Sequence, residues 1–216
     1  MFVGHYAAAL AAKAVQPKAP LWTYVLGAQL VDVAWSGLVL AGVEKVSFDP
    51  NLPGSALVLS YMPFTHSLPA AVLWALAAGI LVTLLLKLPR AAGIAVGLVV
   101  LSHWGLDFLV HRPDLALGFG GPKVGLGWWN HPVPEQALEM GLLAIAASAW
   151  GWRRGLQGHD GWSAPLFVGF LLVLQLIGML APPIGGPGHM AVSSLSAYLL
   201  ATLFAWLMDQ TERRGR

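Results

Sequence analysis

Apolar positions along the chain gather into long blocks, at about residues 21 to 43, 68 to 86, 91 to 110, 133 to 152, 163 to 181 and 189 to 208. Each block is close to the roughly 20 residues that carry a helix across about 30 Å of hydrocarbon. The pattern therefore predicts six long spans. Residues 2 to 16 form a shorter, Ala-rich stretch that ends near Lys13 and Lys18, with Pro17 and Pro20 separating it from the first long span. This segment is either a short seventh crossing or an interfacial helix. No basic region precedes its apolar residues, which argues against a cleaved leader. No internal repeat or soluble-domain-sized stretch interrupts the blocks, so the expectation is an all-α, polytopic transmembrane helical bundle forming one integral membrane domain over residues 1–216.

The polar breaks between blocks are of two kinds. Lys13 and Lys18, Lys87 and Arg90, Arg153 and Arg154, and Arg213, Arg214 and Arg216 all fall on one side if the six blocks alternate. Short loops rich in Lys and Arg mark the cytoplasmic face. The expected location is thus the cytoplasmic (inner) membrane, with the C-terminus in the cytoplasm. The opposite side receives residues 44 to 67, 111 to 132 and 182 to 188, where Lys45, Arg112 and Lys123 stand beside Glu44, Asp49 and Asp114. Two of these outer loops are about 20 residues long and rich in Gly, Pro and aromatics, the length at which a loop in a compact domain tends to carry function. Trp128 and Trp129 suit an aromatic belt at the membrane boundary.

Composition narrows the function classes. Hydrophobic residues make up 57% of the chain and charged residues only 10%, with a mean hydropathy of +0.68. The net charge of +2 is spread over short loops, with no basic stripe to neutralise a phosphate backbone, so nucleic acid is excluded as a partner. The absence of cysteine removes disulfides, thiolate nucleophiles and thiolate metal sites. Any metal has to be held by His, Asp or Glu.

Such residues occur where they are expensive. Asp32, in GAQLVDVAW, lies about 16 Å into the first span at 1.5 Å per residue, one turn after Gln29. A carboxylate at that depth costs about 2.5–3.5 kcal/mol on insertion scales and needs a partner or a cavity. Interhelical polar glue would be one such use. In SHWGLDFLVHR, His103 and Asp107 are four residues apart on one helix face, and His111 continues the stripe towards the outer end. Their depths, about 18 Å and 24 Å for His103 and Asp107, place them with Asp32 in the middle to outer half of the membrane. In PFTHSLPAAVLW, Thr65 or Ser67 can cap a helix while His66 stays at its mouth. His5 reaches the same level if residues 2 to 16 insert. Several segments thus offer His and Asp to one layer of the bundle, a donor set that suits zinc, with manganese or iron also compatible with the carboxylates. Near the fourth outer boundary, HPVPEQALEM places Glu135 in a first helical turn, where the dipole favours it, and Glu139 one turn deeper as a ligand, a base or a partner to a ligating His.

The order of an N-terminal His, an intramembrane Asp, THS before a helix and H-x-x-x-D near a later helix end resembles the bacterial LexA-binding, inner-membrane-associated, metal-dependent hydrolases. The likeness covers roughly residues 1 to 112. It implies a metal shell of His5, Asp32, His66, His103 and Asp107. The family's P-D-x-D segment reads LVDVAW here, with one acid retained and the Pro and second acid replaced. A weaker likeness, in ligand order only, is to bacterial zinc-dependent phospholipases C, whose further His-x-x-x-Glu only His131 and Glu135 could supply.

The resulting expectation is a membrane-embedded metal-dependent hydrolase, with Asp107 or Glu139 as proton acceptor. His111, Arg112 and Lys123 at the outer surface would receive an anionic head group, favouring a phosphoester or other lipid-derived substrate. The alternative is a small transporter or proton relay built on the same intramembrane Asp and His. A non-catalytic scaffold locked by polar contacts is the third.

Overall fold

The computed structural model describes residues 1–180 and 185–214, with side chains described as far as residue 210. Ala181 at the end of the fifth predicted span, residues 182 to 184 of the third outer loop, and Arg216 lie outside the described residues, as do the side chains of Arg213 and Arg214. Among the described residues seven α-helices follow in order: α1 (Val3–Val15), α2 (Leu21–Leu40), α3 (Leu68–Leu85), α4 (Arg90–Val110), α5 (Pro132–Leu156), α6 (Ser163–Leu180) and α7 (Gly186–Arg214). Five of them, α2, α3, α4, α6 and α7, are long and apolar enough to cross a membrane. The chain is a multi-pass, all-α membrane protein.

The expected sixth long span corrects to five. At 25 residues α5 has the length, but Glu135, Glu139, Arg153 and Arg154, separated by many Ala and Gly, leave it short of the apolarity the other five have. It packs against α1 and α6, and Glu139 accepts from the backbone at the start of α1 while Arg154 pairs with Asp160. The short helix α1 is likewise not an interfacial helix. Val3, Gly4, His5, Tyr6, Ala7, Ala9 and Leu10 are all buried, packed among α2, α4 and α5. Its 13 residues rise only about 20 Å, so α1 reaches part of the way through the bundle and is wrapped by longer helices.

Helix ends follow local chemistry. Pro20 and Pro89 precede α2 and α4, where a fixed φ suits helix entry, and Ser67 caps α3 by accepting from the Ala70 N–H at 3.3 Å. Helices α3 and α4 touch backbone to backbone: a Cβ on Gly79 would sit 2.8 Å from the Gly93 carbonyl oxygen, and one on Gly97 would sit 2.9 Å from that of Ala75. Small residues are how helices pack closely where lipid offers no hydrophobic drive.

The outer loops are not irregular throughout. Strands β1 (Lys45–Phe48) and β2 (Leu57–Tyr61) pair antiparallel, with Val46 opposite Leu59; β3 (Leu115–Ala116) and β4 (Lys123–Val124) make a second, minimal hairpin. Val46 and Leu59 turn inward onto Trp35, Met62, Val110 and Trp129, forming a small apolar cluster separate from the main core. The loops therefore form a lid of fixed structure over one end of the bundle.

Candidate metal centre

Beneath that lid, four segments deliver polar side chains to one place. Helix α1 contributes His5, α2 contributes Asp32, the turn before α3 contributes His66, α4 contributes His103 and Asp107, and the residue that ends α4 is His111. All six are buried, with at most 9% of their surface exposed. His5, His103 and Asp107 offer ligand atoms within 4.8 Å of one another, and so do Asp32, His66 and His103. His66 Nε2 lies 3.2 Å from Asp32 Oδ1 and 3.6 Å from Asp107 Oδ2; His103 Nε2 lies 3.5 Å and 3.1 Å from the same two oxygens. Donors around a tetrahedral ion with bonds of about 2.0–2.1 Å stand about 3.3–3.4 Å apart. The four separations bracket that value.

The far sides of these rings decide what the near sides present. His103 Nδ1 is 2.8 Å from the carbonyl oxygen of Ala28, which can only accept. His111 Nδ1 is 3.0 Å from Asp114 Oδ1, again an acceptor. The Thr65 hydroxyl donates its one proton to Glu44 Oε2 at 2.6 Å, so at 2.8 Å from His66 Nδ1 it is left to accept. Each Nδ1 therefore carries hydrogen, and in the neutral ring each Nε2 is a bare lone pair. Those lone pairs point at carboxylate oxygens, which are also acceptors. Buried acceptors facing each other repel unless a cation lies between them, and His103 Nε2, fully buried, makes no hydrogen bond although two carboxylates lie within 3.5 Å. A divalent ion, or protons on the imidazoles, resolves the repulsion. Backing a ligating His through its other nitrogen is the usual arrangement in metal sites.

The remaining residues singled out by the sequence fall in distinct places. His111, expected at the outer surface, is buried: its Nε2 is 3.4 Å from Asp107 Oδ1 and its ring lies 4.0 Å from that of Trp129. Trp129 is accordingly a cover for the cluster, while Trp128 stays exposed. Glu139 caps α1, accepting from the N–H of Phe2 on both oxygens at 3.1 and 3.0 Å and from the Gly4 N–H at 2.9 Å. The free amides at a helix start favour a carboxylate there. Arg112 donates to the carbonyls of Ser55 and Pro53 and to Asn130 Oδ1, and Lys123 donates to the carbonyls of Leu59 and Ser60. Both cations pin the β1–β2 hairpin. Neither His131, which is exposed, nor Glu135 joins the two donor groups. Gln29 does act as glue, donating to the Phe2 carbonyl at 3.1 Å.

Three contributors gave no signal in the sequence. Glu44 orients Thr65 and hence His66, Asp114 orients His111, and Tyr198 on α7 donates to Asp32 Oδ2 at 2.9 Å. A cavity of about 70 Å³ opens against the cluster, walled by Asp32, His66, Asp107, His111, Trp129 and Tyr198, with Leu59 of the hairpin above. It is roomy enough for a few water molecules or one small polar group. No family model matches the chain, and no curated protein or solved structure matches it.

Proposed function

We propose that this protein is a membrane-embedded, metal-dependent hydrolase that binds zinc at the His–Asp cluster and acts on a phosphoester or other lipid-derived substrate. The observation that carries the proposal is the orphaned Nε2 of His103, aimed with that of His66 at two carboxylates while both rings are held from behind. His66, His103, Asp32 and Asp107 would hold the ion. A divalent ion bound there polarises a phosphoryl or carbonyl oxygen and lowers the pKa of bound water from 15.7 towards about 7.

The chain's own residues divide the rest of the work. Asp32 and Asp107 are the carboxylates lining the cavity, and Asp107 would take the one proton released by the attacking water. Tyr198 holds Asp32 by its second oxygen, so that one carboxylate keeps a fixed direction. Trp35, Leu59 and Trp129 supply the apolar part of the cavity wall. The resemblance to the LexA-binding inner-membrane hydrolases points the same way. With the basic ends of the helices in the cytoplasm, the cavity opens on the outer half of the inner membrane.

The test is metal analysis of the purified chain in detergent. Wild type should retain a divalent ion in stoichiometric amount, and His103→Ala and Asp32→Asn should lose it. The loaded protein should release phosphate or fatty acid from at least one member of a lipid and phosphoester panel, and chelation should stop it. Wild type free of metal after loading with zinc, manganese or iron would sink the proposal, and proton flux through liposomes carrying the protein would favour the relay instead.

A further inference from the structure

We infer that the cavity at the basic end of the bundle is a binding site for the phosphate of an anionic phospholipid. It lies at the ends of α1 and α5 opposite the His–Asp cluster, and is independent of the metal-dependent reading. Its volume is about 350 Å³, and Lys13, Lys18, Arg153, Arg154 and His159 line it together with Trp150. Among the described residues, no carboxylate lines it. Clefts of about 300–1,000 Å³ take small molecules, so the space suits a head group rather than a lone ion. Two of the cations are fixed by protein. Lys13 donates to the Pro17 and Ala19 carbonyls at 3.1 and 2.7 Å. Arg154, buried, pairs with Asp160 Oδ2 at 2.8 Å, donates to Ser163 Oγ at 2.9 Å and lies 5.5 Å from the centre of the Trp150 ring. The other two stand at the mouth: Lys18 and Arg153 are exposed, and their side chains make no hydrogen bond or ion pair among the described residues.

Helix ends explain part of this charge. Lys13 sits in the last turn of α1, and Arg153 and Arg154 in the last turn of α5, where the final carbonyls favour cations. That effect fades beyond the last turn, so it does not explain Lys18, three residues past the end of α1, nor why all four cations face one cavity. Asp160, the acid nearest to them in the chain, is turned to the start of α6, where its Oδ1 accepts from the N–H groups of Trp162 and Ser163, each at 2.9 Å. A phosphate group offers several acceptor oxygens at once, and the planar fork of Arg153 can hold two of them. The surroundings favour a lipid over dissolved phosphate. Trp152 and Leu156, one turn apart on α5, are 71% and 62% exposed, and Trp162, just before α6, is 80% exposed. Exposed Trp beside Arg marks the level of lipid head groups, and basic pockets between helices at the cytoplasmic boundary take anionic ones.

The deciding measurement is equilibrium binding of a short-chain fluorescent phosphatidylglycerol to the delipidated full chain in detergent, read by anisotropy. Wild type should bind saturably, and unlabelled phosphatidylglycerol should displace the probe while phosphatidylcholine, inorganic phosphate and glycerol 3-phosphate do not. Each Lys or Arg beside an anionic head group strengthens binding about fivefold, so the double variant Lys18→Gln, Arg153→Gln should bind about 10- to 30-fold more weakly. Both side chains are exposed, so the fold should survive their replacement. The matched double variant Lys87→Gln, Arg90→Gln removes the same charge at the same end but outside the cavity, and should bind as wild type does. Equal weakening in the two double variants would reduce the effect to diffuse attraction and overturn the site, as would binding that never saturates. Displacement by inorganic phosphate or glycerol 3-phosphate as readily as by the lipid would overturn the lipid as occupant and leave a site for soluble phosphate compounds.

Discussion

Thr65 gives its only proton to Glu44 and can therefore only accept at His66, so the direction of that imidazole is set by two residues that are not themselves ligands. Glu44 in turn is fixed by the N–H groups of Phe64 and Thr65 at 2.9 and 3.1 Å. Thr65→Val keeps the shape and removes the hydroxyl. It should weaken metal binding about 10- to 100-fold in a chelator competition, whereas Thr65→Ser should restore it. Unchanged affinity in Thr65→Val would mean that His66 is not a ligand or needs no orientation. At this scale the residues with distinctive chemistry were legible: His5, Asp32, His66, His103 and Asp107 stand out because charge or imidazole in an apolar block is costly. Glu44 and Asp114 were not, since an acid in a loop looks the same whether it faces solvent or braces a buried ring. His111 was placed too far out because the fold of the loop, which brings Trp129 over it, leaves no trace in spacing.

Among the elements, hydrophobic blocks gave away the spanning helices and concealed two other features. Helix α5 reads as a span in the sequence because its middle is apolar, but its acids at one end and arginines at the other serve α1 and the opposite boundary. The strands were invisible because four- or five-residue segments such as KVSF and LVLSY carry too few alternations to stand out, and only pairing over Trp35 and Trp129 buries them. The α3–α4 contact makes a prediction with two signs. Gly97→Ala places a methyl 2.9 Å from the Ala75 carbonyl oxygen, so the backbones must part, at a cost of about 1–3 kcal/mol. Gly105→Ala, on the same helix with nothing within 4 Å, should be neutral or stabilise by up to about 1 kcal/mol through lower chain entropy. Thermal midpoints in one detergent should therefore move in opposite directions or only for Gly97. Equal losses in both variants would contradict the close approach.

Taken as a whole, the molecule has two unlike ends. Lys13, Lys18, Arg153, Arg154 and His159 line one pocket at the end away from the site, where Lys13 donates to the Pro17 and Ala19 carbonyls and Arg154 pairs with Asp160 at 2.8 Å. Lys87 and Arg90 sit in the tight α3–α4 turn, on the side that alternation of the helices assigns to the same end. At the other end, Arg112 and Lys123 are tied to loop carbonyls, above the cluster that holds the Asp32 and Asp107 carboxylates. A bundle this asymmetric should insert with the basic end in the cytoplasm. Because the chain has no cysteine, single cysteines report on sidedness without a background. Phe119→Cys, exposed in the lid, should react with a membrane-impermeant maleimide in intact cells, whereas Gln157→Cys, exposed at the basic end, should react only after the membrane is opened. The reverse labelling would place the basic end outside, and the cavity against the His–Asp cluster would then receive its substrate from the cytoplasm.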